Sequence, residues 1–178
     1  MKFIVGLAAI AITFSTLFAA GENPSALGLE IGKATIADAK AKYRLESKGI
    51  NNLSEGEYFL VELSDIKLDN VIEASIVFDK SGKLAAVGII FSGDRFDSLY
   101  KSLSEQYALQ NDQTEFQGVK SAIFVAGNSK IILAKWHTFE RKNTFTNLHY
   151  GTNQHLDKIE NAIRQQQDSN ITIVDPFP

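Results

Sequence analysis

The three histidines, His137, His149 and His155, are the side chains of this 178-residue sequence that could bind a metal or transfer protons near neutral pH. The sequence contains no cysteine, which removes thiolate nucleophiles and cysteine metal sites. The imidazoles are therefore the main candidates for metal chemistry, and a metal site would require them to converge on one point.

The spacing of the histidines predicts that they stay apart. His137 and His149 lie in consecutive strand segments, and a symmetric hairpin places His137 opposite Thr144 and His149 opposite Ile132. His149 then lies on the other face of the sheet from His137, roughly 17 Å away along the strand. His155 falls at the start of the last predicted helix. We therefore expect histidines at the surface or at strand edges, with no metal and no cofactor.

Other catalytic patterns are not found in the sequence. There is no Gly-x-Ser-x-Gly motif, and 92–94 (Ser-Gly-Asp) is predicted to be the turn that starts a helix. The carboxylate pairs Asp65 with Asp69 and Glu55 with Glu57 fall in polar segments, where solvated acids are expected. No glycine-rich phosphate loop occurs. The sequence therefore predicts a protein without catalysis, and a hydrolase with an unrecognised site is the alternative.

One segment mixes aromatic and basic side chains near a turn. We predict that Trp136, His137, Phe139 and Arg141 contribute to binding a partner, because aromatic residues and arginine make strong contacts at protein interfaces. The alternative is that Trp136 and Phe145 pack against a helix, which would leave Phe139 as the exposed aromatic residue of the segment.

Three segments have the apolar period of an amphipathic helix. Thr35 with Asp38 forms a capping box for the first, Asp94 is the expected cap of the second, and Thr152 or Asn153 that of the third. The apolar stripes are Ile36, Ala39 and Tyr43 in the first helix, Phe96, Leu99, Tyr100, Leu103 and Tyr107 in the second, and Leu156, Ile159 and Ile163 in the third.

Six segments between the helices are rich in β-branched and aromatic residues and are predicted strands. They are 58–63, 71–78, 84–91, 119–125, 130–136 and 144–150. Short turns between them predict antiparallel meanders, and the fold class is α+β, in the order α-βββ-α-βββ-α, with the helices packed on one face of the sheet. We expect one domain over 25–168; the order is consistent with an internal duplication (28–93 and 94–167) and equally with an unrepeated domain.

The first twenty residues are typical of a secretory signal peptide. Lys2 precedes the uncharged stretch 3–18, and small residues follow at 19–21. An uncleaved membrane anchor is the alternative. Cleavage would deliver a periplasmic or secreted chain, and without cysteine that chain has neither a lipid tether nor a disulfide. The last segment, 169–178, is predicted to be a tail in which 171–174 forms either a final strand or a docking segment.

The charge of the chain excludes two classes of partner. Lys2 is the one charged residue among the first twenty, so removal of this segment takes the formal net charge from −3 to −4. The sequence contains no block of lysine and arginine. Nucleic acids and anionic membrane surfaces are bound by clustered positive charge, so neither is expected as a partner. The oligomeric state is left open.

The segment 27–35, Leu-Gly-Leu-Glu-Ile-Gly-Lys-Ala-Thr, runs into a short helix and then a meander. This opening resembles small exported α+β modules of two groups, the β-lactamase inhibitor proteins and the small lipoproteins of the outer-membrane assembly machinery. Both groups rely on cysteines, which this chain lacks. The resemblance implies a non-enzymatic protein that binds another protein or an envelope component.

A small-ligand carrier is the alternative from a different class of function. Helices over a curved sheet can enclose an apolar pocket, and the 12 phenylalanines of the chain could line it.

Overall fold

The structure is a computed structural model that describes residues 22–116, 119–137 and 143–168. The predicted signal peptide and the predicted tail lie outside these residues. The helices are Ile36–Lys42 (α1), Phe96–Ser104 (α2) and Asn153–Asp168 (α3). The strands are Ser25–Ala26 (β1), Leu29–Glu30 (β2), Leu45–Ile50 (β3), Glu55–Val61 (β4), Val71–Asp79 (β5), Leu84–Ser92 (β6), Ala108–Phe116 (β7), Val119–Ala126 (β8), Ser129–His137 (β9) and Thr144–Thr152 (β10).

The predicted α+β class with an antiparallel sheet is confirmed. Eight strands form one antiparallel sheet in the order β3-β4-β5-β6-β10-β9-β8-β7, and β1 and β2 form a separate two-stranded hairpin. The predicted hairpin between the last two strands is confirmed as well, since Thr144 pairs with His137 and His149 with Ile132.

Each half of the sheet has four strands, whereas the sequence predicts three. The additional strands, β3 and β7, are the two edges of the sheet. Their sequences, LESKGI and ALQNDQTEF, lack the apolar alternation of a half-buried strand, and five of the six residues of β3 are exposed. An edge strand is held by backbone hydrogen bonds to one neighbour and need not bury its side chains, so periodicity does not reveal it.

The order of elements repeats along the chain. α1 precedes the meander β3 to β6, and α2 precedes the meander β7 to β10. The two meanders meet where β6 pairs with β10 over seven residues, from Ser92 opposite Phe145 to Ala86 opposite Gly151. The sheet order is therefore symmetric about this central pair. Internal duplication stays a prediction with which this order agrees.

α1 and α2 lie on the same face of the sheet and bury the main core. Ala39 of α1 and Phe96 of α2 are fully buried beside inward-facing strand residues such as Phe78 and Phe124. Tyr100 of α2 packs between Phe96 and Phe124, with ring centroids 6.0 and 5.7 Å away. Each buried phenylalanine contributes about 1.5–3 kcal/mol to stability.

The predicted capping box of α1 is confirmed. Thr35 Oγ1 accepts a hydrogen bond from the Asp38 N–H at 3.2 Å, and the Asp38 carboxylate accepts one from the Thr35 N–H at 2.8 Å. The bonds from the side chain and backbone of Thr35 lower the pKa of Asp38.

The expected cap of α2 is wrong by one residue. Arg95 holds the N-cap position, and Asp94 Oδ1 accepts the Phe96 N–H at 3.0 Å from one residue earlier. In α3, which begins at Asn153, Thr152 Oγ1 accepts the His155 N–H at 3.2 Å.

α3 lies on the opposite face of the sheet, which corrects the expectation that all helices share one face. Ala74 and Ile76 of β5 point into the core beneath α1 and α2, while Val77 lines a cleft with Ile159 of α3. The first face is already covered, so Leu156 and Ile159 of α3 are buried against the strand side chains that point to the other face.

The close packing of β4 can be tested by adding a methyl group at a glycine of this strand. A Cβ at Gly56 would lie 2.3 Å from the carbonyl oxygens of Phe78 and Asp79, which are backbone atoms and cannot rotate away. We predict that Gly56→Ala lowers the free energy of unfolding by about 3 kcal/mol or more, measured by urea denaturation.

Gly49→Ala is the matched control. Gly49 has a φ of +92°, but a Cβ added there would meet no heavy atom of the described residues within 4 Å. This variant therefore carries backbone strain of about 1–2 kcal/mol without a clash. Equal destabilisation by the two substitutions would contradict the steric explanation for Gly56.

Candidate functional site

The face of the sheet that α1 and α2 do not cover is the candidate functional surface. We call it the open face; it carries Leu60 of β4, Glu73 of β5, Trp136 of β9 and Phe145 of β10. α3 contacts β9 and β10 on this side and covers part of it.

Trp136 and Phe145 form a stacked pair on the open face. They are directly opposite in the β9–β10 ladder, and their ring centroids lie 4.7 Å apart with 28° between the ring planes. Lys135, the neighbour of Trp136, points to the other face, where its ammonium group lies 3.0 Å from Asp94 Oδ2. The structure therefore stacks the two aromatic rings on each other, on the face opposite α2, and leaves Trp136 36% exposed.

The other predicted binding residues fall beside this pair or outside the described residues. His137 is exposed next to Trp136, and its Nδ1 lies 2.9 Å from Thr144 Oγ1. Phe139 and Arg141 lie outside the described residues, so their part in the predicted binding segment stays a prediction.

The opposite end of the open face has a cleft of about 470 Å³ that combines carboxylates with apolar side chains. Glu46 and Leu60 are directly opposite in the β3–β4 ladder. Arg44 beside them is occupied by Asp65, with Nη2 2.8 Å from Oδ1. The residues that line this cleft include Glu46, Leu60, Glu62, Leu63, Ile72 and Glu73.

Two histidines that the sequence predicted to lie at the surface are buried together between α3 and the sheet. His149 of β10 and His155 of α3 are 7% and 5% exposed. Their rings are stacked with centroids 6.2 Å apart and 18° between the ring planes. We call them the histidine pair. The sequence does not predict this pair, because the face on which α3 packs is decided by the whole sheet.

Two glycines make room for the histidine pair. Gly88 is opposite both Ser75 and His149, and a Cβ there would lie 2.8 Å from Ser75 Oγ and 3.5 Å from His149 Nδ1. Gly151 lets α3 approach β10, because a Cβ there would lie 2.9 Å from Leu156 Cγ. In the sequence, Gly151 lies two residues after His149, whereas Gly88 is on another strand and is brought beside His149 by the pairing of β6 with β10.

Burial keeps the histidine pair uncharged at neutral pH. Desolvation, with a smaller effect of His155, lowers the pKa of His149 to about 3. Desolvation, with a smaller effect of the Lys158 ammonium group, lowers the pKa of His155 to about 4. If both rings were protonated, two positive charges 6.2 Å apart would repel each other by about 3 kcal/mol at an effective dielectric constant of 20.

A neutral imidazole can bind a metal ion, but the arrangement offers too few ligands. Within the described ranges, no group of three or more histidine, aspartate or glutamate side chains could hold a metal ion. His155 Nδ1 is buried without a hydrogen-bond partner in the part of the chain that the structure describes. The histidine pair therefore stands as a buried, uncharged contact between a helix and a sheet.

Comparisons with models of protein families, with curated proteins and with solved structures found no match for this chain. Among the helices of the described residues, none has the length and apolar character needed to cross a membrane.

A double-mutant cycle tests the contact between Gly151 of β10 and Leu156 of α3. We predict that Gly151→Ala destabilises the protein by about 1–3 kcal/mol, because the new methyl group would meet Leu156. In a Leu156→Ala background, the same substitution should cost much less, and the coupling energy from urea denaturation should be about 0.5–3 kcal/mol. Additive effects would show that the methyl group at 151 does not meet Leu156.

Proposed function

We propose that the protein is an exported, non-enzymatic binding module that docks a partner polypeptide on the open face. The observation that carries the proposal is the stacked and partly exposed pair of Trp136 and Phe145 on a sheet face that two of the three described helices leave uncovered. Exposed aromatic clusters rimmed by polar groups are typical of protein interaction sites. Export rests on the predicted signal peptide, and periplasmic or secreted residence follows from it.

The size of the open face supports a polypeptide partner. Eight strands spaced about 4.8 Å apart span about 34 Å, and strands of six to nine residues average about 27 Å in length, so the sheet presents about 900 Å². α3 has 16 residues and covers at most a strip about 24 Å long and 10 Å wide. The remaining area is close to the roughly 800 Å² that each partner contributes to a standard interface.

The chemistry of the open face also supports a protein rather than a small apolar ligand. The cavity beneath α3 has a volume of about 50 Å³, while pockets for drug-sized ligands have roughly 300–1,000 Å³. The two larger clefts, of about 470 and 310 Å³, are lined by charged side chains, Glu46 and Glu73 in the first and Glu55 and Lys158 in the second. Apolar side chains between carboxylates suit a peptide surface better than a lipid chain.

Photo-crosslinking tests this proposal. We predict that p-benzoylphenylalanine at position 136 of the full chain, expressed in its own organism, gives a polypeptide adduct of defined mass. The matched control is position 68, because Leu68 is also exposed (48%) but lies in the loop before β5. Equal adducts at the two positions, or retention of a lipid in place of a polypeptide, would contradict docking on the open face.

Affinity measurements with the purified crosslinked partner test the aromatic pair itself. We predict that Trp136→Ala and Phe145→Ala each weaken binding about tenfold or more, as buried aromatic anchors do, while Leu68→Ala leaves the affinity unchanged. Unfolding midpoints should show that each variant is folded at the assay temperature. Unchanged affinity in both aromatic variants would rule out their role as anchors.

The predicted role of Phe139 and Arg141 has its own test in the same assay. We expect Phe139→Ala and Arg141→Ala to weaken binding, because the two residues continue the segment that begins at Trp136 and His137. If Phe139→Ala binds with wild-type affinity, the binding segment does not extend beyond β9.

A further inference from the structure

We propose that α3 is an acid-released cover of the sheet, held in place at neutral pH by the uncharged histidine pair and freed when His149 and His155 are protonated. This inference goes beyond the proposed function, since it concerns a conformational change within the chain and needs no partner.

Among the residues of α3 whose side chains the structure describes, His155 provides a buried contact with His149 of the sheet. His155, Leu156 and Ile159 are the residues of the helix that are buried among those whose side chains the structure describes. Two lysines add polar contacts at the rim. Lys158 Nζ donates to the Leu53 carbonyl oxygen at 2.8 Å, and Lys130 Nζ lies 3.2 Å from Asp157 Oδ1.

The buried position of the histidine pair is favourable when both rings are neutral and unfavourable when either ring is charged. His149 and His155 are both buried, so a proton on either ring would place a charge where little water can solvate it. Protonation of both would set two like charges face to face across the helix–sheet contact. Release of α3 relieves both costs, because the rings then face solvent.

Other charged groups near the histidine pair determine how much of the cost of protonating the two rings is offset. The cleft that both histidines line also contains Glu73 of β5 and Tyr58 of β4. The adjoining cleft at the start of α3 has a mixed set of charges around His155, namely Glu55, Asp79, Lys80 and Lys158. Glu55 lies 3.8 Å from both lysine ammonium groups, so its charge is engaged by them. Glu73 is the carboxylate of the described residues that lines the same cleft as both histidines.

The direction of the pH effect follows from the difference in proton binding. When α3 is docked, the pKa values of His149 and His155 are about 3 and about 4. When α3 is released and the rings are exposed, both pKa values are near the ordinary 6.5. The released state thus binds more protons below pH 6.5. Docking is unaffected above that pH and weakens as the pH falls, by up to tenfold per pH unit for each histidine until the docked pKa is reached.

Hydrogen exchange in the full chain tests the proposal. We expect the amide protection of α3, corrected for the intrinsic pH dependence of exchange, to fall by tenfold or more between pH 6.5 and pH 4.5. The amides of the central strands β6 and β10 should stay protected over this range. Constant protection of α3, or loss of protection in α3 and the central strands at the same pH, would overturn the proposal.

Variants separate the histidine pair from the carboxylates. We expect His149→Gln and His155→Gln each to remove part of the pH dependence of α3 protection, and Asp157→Asn to leave that dependence unchanged. If a glutamine variant keeps the full wild-type dependence, another group controls release. Should a glutamine variant leave α3 unprotected at every pH, NMR titration of the two imidazoles in the wild-type chain decides. Protonation at the ordinary pH of an exposed histidine while α3 stays protected would overturn the proposal.

Discussion

The pairing of β6 with β10 is the contact on which the rest of the structure depends. It joins the two four-stranded meanders into one sheet and sets their register. That register places Gly88 beside His149, and β10 in turn aligns Phe145 with Trp136 of β9. β10 therefore carries one residue of each contact, His149 of the buried histidine pair and Phe145 of the exposed aromatic pair.

The two faces of the sheet are covered in different ways. α1 and α2 bury the main apolar core on one face. α3 covers part of that second face and meets it through two imidazole rings instead of a fully apolar surface. We propose that this contact weakens when the rings become charged, because burial opposes the protonated form of an imidazole. The surface proposed for binding and the element proposed to move therefore lie side by side.

Features that depend on neighbouring residues could be predicted from the sequence. The capping box of Thr35 and Asp38 is a local hydrogen-bond pattern, and the hairpin that pairs His137 with Thr144 follows from two strands joined by a short connection. The apolar stripe of α2 predicted which side of the helix is buried, because the apolar side of an amphipathic helix packs against the sheet beside it. The α+β class follows from the order of such elements along the chain.

Features that depend on distant residues were decided by the tertiary structure. The edge strands β3 and β7 exist because β4 and β8 offer backbone partners, and their own polar sequences carry no signal for them. The side on which α3 packs depends on the space already taken by α1 and α2, so the sequence could not bring His149 and His155 together. Local hydrogen bonding and apolar period thus determined the elements, and competition for the two faces of the sheet determined where their side chains meet.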